Sequence, residues 1–245
     1  MIKISRSKID LFLECPRCFY LDVVKKVKRP PGFPFNLNNA VDMLLKKEFD
    51  RHREAGTQHP IQIEFGIDAI PANHPMIDKW RQSMQHGVIY QDLDKNLHLY
   101  GGIDDLWINA DGEYHIVDYK ATAKDKPITE LAEWTIGYKR QMEVYQWLLR
   151  KNGLKVSNTA YFVYCTGDNT ANTFDNKIEF HSHIIPYEGD DSWIDNVITD
   201  LHSCLQSQTI PDKSDTCLYC GFFKKLYVEL KNDALSIKKK INLLN

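Results

Sequence analysis

Two Cys-x-x-Cys pairs stand near opposite ends of the chain, Cys15 with Cys18 and Cys217 with Cys220. The short gap lets both sulfurs of a pair reach one centre, and two pairs complete a four-thiolate site. A fold that satisfies all four must close a loop of roughly 200 residues and bring the two end segments together. The site is expected to be structural, and spacing alone favours zinc in it. Cys165 and Cys204 are not needed; Cys165 reads as a buried thiol in an apolar strand, and Cys204 flanks a helical stripe.

The stretch Tyr100–Lys120 organises the rest. Two apolar-rich runs flank Asn109-Ala110-Asp111-Gly112, which reads as a β-hairpin. In the second run Ile116, Asp118 and Lys120 share one face, while Val117 and Tyr119 share the other. An acid and a lysine inside so apolar a run need a partner or a metal. For Asp104 to converge with Asp118 the two must lie directly opposite. That register sets Asn109 opposite Glu113 and leaves Ala110-Asp111-Gly112 as the loop, with the glycine in the left-handed position. The turn chemistry and the proposed site thus demand the same register.

The length of 245 residues suits one sizeable domain or two small ones, and 43% hydrophobic with 26% charged residues is ordinary for a globular chain. No apolar run approaches a membrane span and the first residues lack a signal-peptide core, so a cytoplasmic location without membrane partners is expected. In that compartment six cysteines favour metal or free thiols over disulfides. A net charge of −2 excludes a global electrostatic case for nucleic acid, which leaves a local patch.

Ser7-Lys8-Ile9-Asp10 resembles a capping box opening a short helix that stops at Cys15-Pro16. The basic run from Lys25 to Arg29 reads as a solvated loop. Asn36–Ala55 reads as a helix with Leu37, Val41, Leu44, Leu45 and Phe49 as its apolar stripe and Asp42 at the border. A short strand is expected around Ile61–Phe65, a helix over Met76–Met84, and strands over Val88–Gln91 and Leu97–Gly101. Glu130–Lys151 reads as one or two helices on which Gln141 and Tyr145 point the same way. Thr159–Cys165 suits a buried central strand, and Ile178–Ile185 a surface strand carrying His181 and His183. Trp193, Val197, Leu201 and Leu205 form a helical stripe, and the lysine-rich tail from Leu226 reads as a surface helix. The alternation predicts an α/β domain with a mixed central sheet.

Gly101-x-x-Asp104, then Asp118-Tyr119-Lys120, then Gln141-x-x-x-Tyr145 resembles the PD-(D/E)XK nuclease superfamily, above all its RecB-type and CRISPR-associated exonuclease branch. Ser5-x-Ser7, a short helix and Cys-Pro resemble the start of that branch. The resemblance implies a restriction-endonuclease-like core with its mixed sheet flanked by helices and its termini joined at the four cysteines. It implies one nuclease-like domain over 1–245, with segments of about 1–30 and about 206–245 forming a cluster lobe. It implies a nuclease acting on single-stranded DNA ends, with Mg²⁺ or Mn²⁺ held by Asp104, Asp118 and the Tyr119 carbonyl. Lys120 would be catalytic, and Gln141 and Tyr145 would lie beside it. Where the family offers a histidine to the metal this chain has Asp42, a competent oxygen ligand. The family's cysteine cluster holds [4Fe-4S], which makes iron–sulfur the expectation at Cys15, Cys18, Cys217 and Cys220, with zinc as the alternative. A helicase or CRISPR-type protein partner is a further implication. The competing reading is a non-catalytic nucleic-acid-binding protein that keeps the fold and the cysteine site.

Overall fold

The computed structural model describes residues 1–32, 35–83 and 86–242, leaving aside the side chains of Trp134 and 235–242. In chain order the elements are β1 (Ile2–Ser5), α1 (Arg6–Glu14), α2 (Pro16–Val23), α3 (Asn36–Ala55), α4 (Pro60–Glu64), β2 (Ile70–Pro71), α5 (Ile77–Trp80), β3 (Val88–Asp92), β4 (Leu97–Gly101), β5 (Asp105–Ile108), β6 (Tyr114–Lys124), α6 (Ile136–Lys151), β7 (Thr159–Asp168), β8 (Phe180–Glu188), α7 (Ile194–Gln206) and α8 (Leu218–Asn242). The chain divides into two compact units. The first is residues 1–7 with 33–196, and the second is 8–32 with 197–245.

The first unit holds both sheets. One has the order β1-β4-β3 and the other β2-β5-β6-β7-β8. Each is mixed, because β1 runs parallel to β4 and β6 parallel to β7 while the other pairs are antiparallel. Val117 and Tyr119 pack with Phe49 of α3, Trp107 and Val163 on one face of the larger sheet. Burial on both faces explains why β7 reads as an unbroken apolar run. The second unit carries the four cysteines, packed together with Leu11.

Several elements differ from what the sequence suggests. Ile61–Phe65 is not a strand. Pro60 opens a helical turn, His59 Nδ1 accepts the Ile61 N–H at 3.1 Å, and Gln62 Oε1 accepts the His59 N–H at 2.8 Å. That reciprocal cap outweighs the β preference of Ile-Gln-Ile. Helix α1 starts at Arg6, so Ser7 lies in its first turn and not at its cap. On α3 the apolar stripe fails at its N-terminal half, where Leu37 and Leu44 are exposed and only Phe49 of the five is fully buried. The buried side of α7 is Ile194, Ile198 and Leu201, one position off the expected stripe at Trp193 and Val197. Helix α5 carries buried Ile77 and Trp80; Met84 lies outside the described residues, as do the last three residues of the expected tail helix.

Candidate active site

The hairpin delivers the two acids. Asp105 pairs with Val117, Leu106 with Ile116 and Trp107 with His115, and one further step along that register sets Asp104 opposite Asp118. At the other end the Asn109 N–H donates to Glu113 O at 3.1 Å, and Gly112 adopts φ +73°. Asn109 Oδ1 accepts the N–H groups of Asp111 and Glu113 at 3.1 and 2.9 Å, which locks the loop. The register demanded by the turn is the register that faces the acids.

Asp118 is fully buried. Its Oδ1 accepts from Gln141 Nε2 at 2.8 Å, and its Oδ2 forms an ion pair with the Lys120 ammonium. Burial pushes the Asp118 carboxyl up to about 7; Lys120 opposes the rise and the Asp104 charge adds to it. Lys120 also lies 4.6 Å from the centre of the Tyr138 ring. Asp104 Oδ2 accepts the Tyr119 N–H at 3.1 Å, and Asp104 Oδ1 pairs with Lys46 at 3.3 Å.

Helix α3 supplies the third acid. Its inward side carries Asn38, Asp42 and Lys46, one turn apart, beside Val41, Leu45 and Phe49. This polar row explains the broken apolar stripe. Asp42 Oδ2 pairs with Lys46 at 2.8 Å, so one ammonium bridges Asp42 and Asp104. Burial, then the Asp104 charge, raises the Asp42 carboxyl. Burial acts to lower Lys46, but its two carboxylates outweigh that and leave it raised.

Gln141 and Tyr145 stand one turn apart on α6, with Gln141 Nε2 at 3.3 Å from the Tyr145 hydroxyl. Tyr145 is buried, which pushes its hydroxyl up to about 12. Arg6 donates to Gln141 Oε1 at 2.6 Å, so Arg6, Gln141, Asp118 and Lys120 form one chain of contacts. The structure therefore gathers Asp42, Asp104, Asp118, Lys120, Gln141 and Tyr145 in one neighbourhood.

The oxygen donors suit a hard divalent ion, and Asp42 Oδ1 is buried without a hydrogen-bond partner, an atom such an ion would satisfy. The three carboxylates do not form a closed cage. Among the described residues, the four cysteines are the one set of three or more acidic, histidine or cysteine ligands whose atoms all lie within 4.8 Å of one another. Lys46 between Asp42 and Asp104 accounts for the spread. The histidines of β8 join no such set among the described residues: His181 is exposed and His183 packs edge-on to Phe65.

Sequence reasoning missed the scaffold. Asp105 is fully buried and accepts from Arg53, from Arg81 at 3.0 Å and from the Tyr119 hydroxyl at 2.5 Å. Arg81 also donates to the Asp104 carbonyl at 3.0 Å. Two arginines thus hold Asp105 and the Asp104 backbone, and Asp105 in turn accepts the Tyr119 hydroxyl on the strand face opposite Asp118. The signal for Lys46 was legible, since Asp42-x-x-x-Lys46 is a helical ion-pair spacing. Nothing in the local pattern points to Arg53 or Arg81.

In the second unit Cys15 Sγ lies 3.8 Å from Cys220 Sγ, and Cys18 Sγ lies 3.6 Å from those of Cys217 and Cys220. None of the six cysteines forms a disulfide. Burial raises Cys217, but hydrogen bonds from the Cys220 N–H and the neighbouring thiols bring it down to about 7; burial raises Cys18 and Cys220. Arg29 is not solvated as the basic run suggested. It grips Glu14 with one nitrogen at 2.7 and 2.8 Å, donates to Cys217 Sγ at 3.4 Å and stacks on Tyr219 at 4.3 Å. Placing its positive charge beside thiols favours their thiolate forms.

Residues 33–223 match the sequence profile of the PD-(D/E)XK nuclease superfamily, a span that includes Asp42 and both C-terminal cysteines and omits Cys15 and Cys18. A solved structure titled "Crystal structure of SSO0001" is similar at 15% identity and a TM-score of 0.39, covering 86% of this chain and 79% of that one. No curated protein matches the sequence.

Proposed function

The chain belongs to the PD-(D/E)XK nuclease superfamily, and from that premise we propose that it is a divalent-metal-dependent DNA nuclease of the RecB-type exonuclease branch, acting on single-stranded ends. The observation that carries the catalytic reading is the ion pair on β6 between half-buried Lys120 and buried Asp118, with Asp118 opposite Asp104. Asp104, Asp118 and Asp42 would hold Mg²⁺ or Mn²⁺, with the Tyr119 carbonyl as a further oxygen implied by the family. When bound, the ion supplies Lewis acidity at the phosphoryl oxygen and makes water easier to deprotonate. Asp118 anchors the Lys120 ammonium, which orients the attacking water and offsets charge building on the phosphate. Gln141 holds the Asp118 carboxylate in place from α6 and Tyr145 supports Gln141. The resemblance also supplies the preference for DNA ends and the helicase or CRISPR-type partner.

A labelled single-stranded oligonucleotide with Mn²⁺ tests the reading. Cleavage is expected from the wild type, and Lys120→Ala is expected to reduce kcat by about 10²- to 10⁴-fold while the fold is kept. An undiminished Lys120→Ala rate would refute the assignment. One observation favours the non-catalytic alternative: Lys46 already bridges Asp42 and Asp104. Oligonucleotide binding without cleavage at any divalent ion would select it.

At the four cysteines the reading changes from iron–sulfur to zinc. Sulfurs 2.3 Å from a tetrahedral ion lie roughly 3.8 Å apart, close to the 3.6–3.8 Å of three sulfur pairs here, with all four sulfurs within 4.8 Å of one another. A [4Fe-4S] cube interposes irons and sulfides and spreads its thiolates farther. Purified protein is expected to be colourless with one zinc per chain; a brown protein with thiolate-to-iron absorption overturns this. The same reading takes residues 1–245 as one nuclease-like domain whose end segments carry the cysteine centre.

A further inference from the structure

We propose that Ser5, Arg6 and Ser7 form a second phosphate site beside the catalytic one, holding a phosphate adjacent to the scissile one; it rests on the nuclease reading above. A cleft of about 330 Å³ opens beside these residues, walled by Tyr145 and the Gly101–Gly102 backbone, and no carboxylate lines it. Its polar groups are the Arg6 guanidinium and hydroxyls, with Ser5 Oγ and Ser7 Oγ 2.8 Å apart. The glycines give the cleft its wall. A Cβ at Gly101 would lie 2.6 Å from Tyr145 Cε1, and one at Gly102 2.4 Å from Ser83 Cβ.

The cleft is tied to the acids. Arg6 reaches Gln141 Oε1 at 2.6 Å, and Gln141 reaches Asp118 Oδ1 at 2.8 Å. A polynucleotide carries a charge at every step, so the neighbours of a scissile phosphate arrive beside Asp42, Asp104 and Asp118 as well. Arg6 reaches Gln141, and the residues lining the cleft beside it include no carboxylate. A planar guanidinium flanked by hydroxyls is chemistry suited to a phosphodiester. The Ser5-Arg6-Ser7 segment, where β1 passes into α1, thereby gains a role in binding.

The test uses single-stranded oligonucleotides in which one phosphate next to the scissile position, on either side in turn, is a neutral methylphosphonate. For the full-length wild type with Mn²⁺, neutralising the phosphate that sits in the cleft is expected to raise KM about tenfold or more with little change in kcat. Arg6→Ala should raise KM similarly on the natural strand and become insensitive to the methylphosphonate, and Arg6→Lys should recover part of the loss. Circular dichroism confirms that each variant is folded. If Arg6→Ala keeps the full methylphosphonate penalty, or if its loss falls in kcat alone, Arg6 merely orients Gln141 and the proposal is overturned. If the wild type cleaves nothing, the nuclease reading fails on its own. Fluorescence anisotropy with the same oligonucleotides then decides the phosphate site, and a Kd indifferent to the methylphosphonate at both positions overturns it.

Discussion

A carboxylate with no exposed surface needs compensation, and buried Asp118 has a hydrogen bond from Gln141 at Oδ1 and the opposite charge of Lys120 at Oδ2. Its folded-state pKa stands at about 7 against an ordinary 3.8, so between those values the native protein holds a proton that the unfolded chain has released. Metal-free protein should therefore lose stability as pH rises from about 4 to about 7, by an amount on the order of a few kcal/mol. Asp118→Asn carries no such proton, and its stability should change less over the same range. Urea midpoints at pH 4.5 and 7 for both proteins decide the matter; a wild-type slope no steeper than the variant's would show that Lys120 cancels the burial cost. The variant is also expected to lose cleavage, because a neutral amide cannot pair with Lys120 as a carboxylate does.

Helix α3 shows how an element can serve core and site with one side. Its inward row alternates Phe49, Leu45 and Val41 with Lys46, Asp42 and Asn38, so the apolar stripe read from the sequence narrows toward the acids. Lys46 is the cation of that row and stands between Asp42 and Asp104. Replacing it by alanine leaves two carboxylates facing each other. Lys46→Ala is expected to bind Mn²⁺ about tenfold more tightly by calorimetry, a difference of about 1.4 kcal/mol, and to be less stable than the wild type without metal. Unchanged affinity would mean that the divalent ion does not share the space of the ammonium. The misread strand at Ile61–Phe65 carries the complementary lesson, since a proline and a reciprocal cap set its conformation where side-chain propensity pointed elsewhere.

For the whole molecule, the four cysteines gather in the unit formed by segments far apart in sequence, 8–32 with 197–245. A structural zinc site contributes its binding free energy to folding. On the zinc reading proposed above, Cys217→Ser is expected to bind no zinc and to lower the thermal transition of the second unit, and excess chelator should do the same to the wild type. A variant that keeps both its zinc and its melting temperature would show that Cys217 is not a ligand. Arg29→Ala is expected to weaken the site less, because it touches Cys217 without completing the set.

The hairpin register, the facing of Asp104 and Asp118, the position of Lys120 and the two cysteine pairs were all legible from the sequence, because each follows from a local rule of alternation, turn chemistry or chelate spacing. The apolar face of α7 and the inward row of α3 were legible only to within a residue or a turn, since a helical stripe fixes no rotation until something packs on it. Tertiary structure alone decided that Arg53 and Arg81 clamp Asp105, that Lys46 bridges two acids, that Arg6 reaches Gln141 and that Arg29 leaves solvent for the thiols. These are long side chains meeting partners distant in sequence, and an arginine or lysine looks alike along the chain whether it faces water or a buried carboxylate.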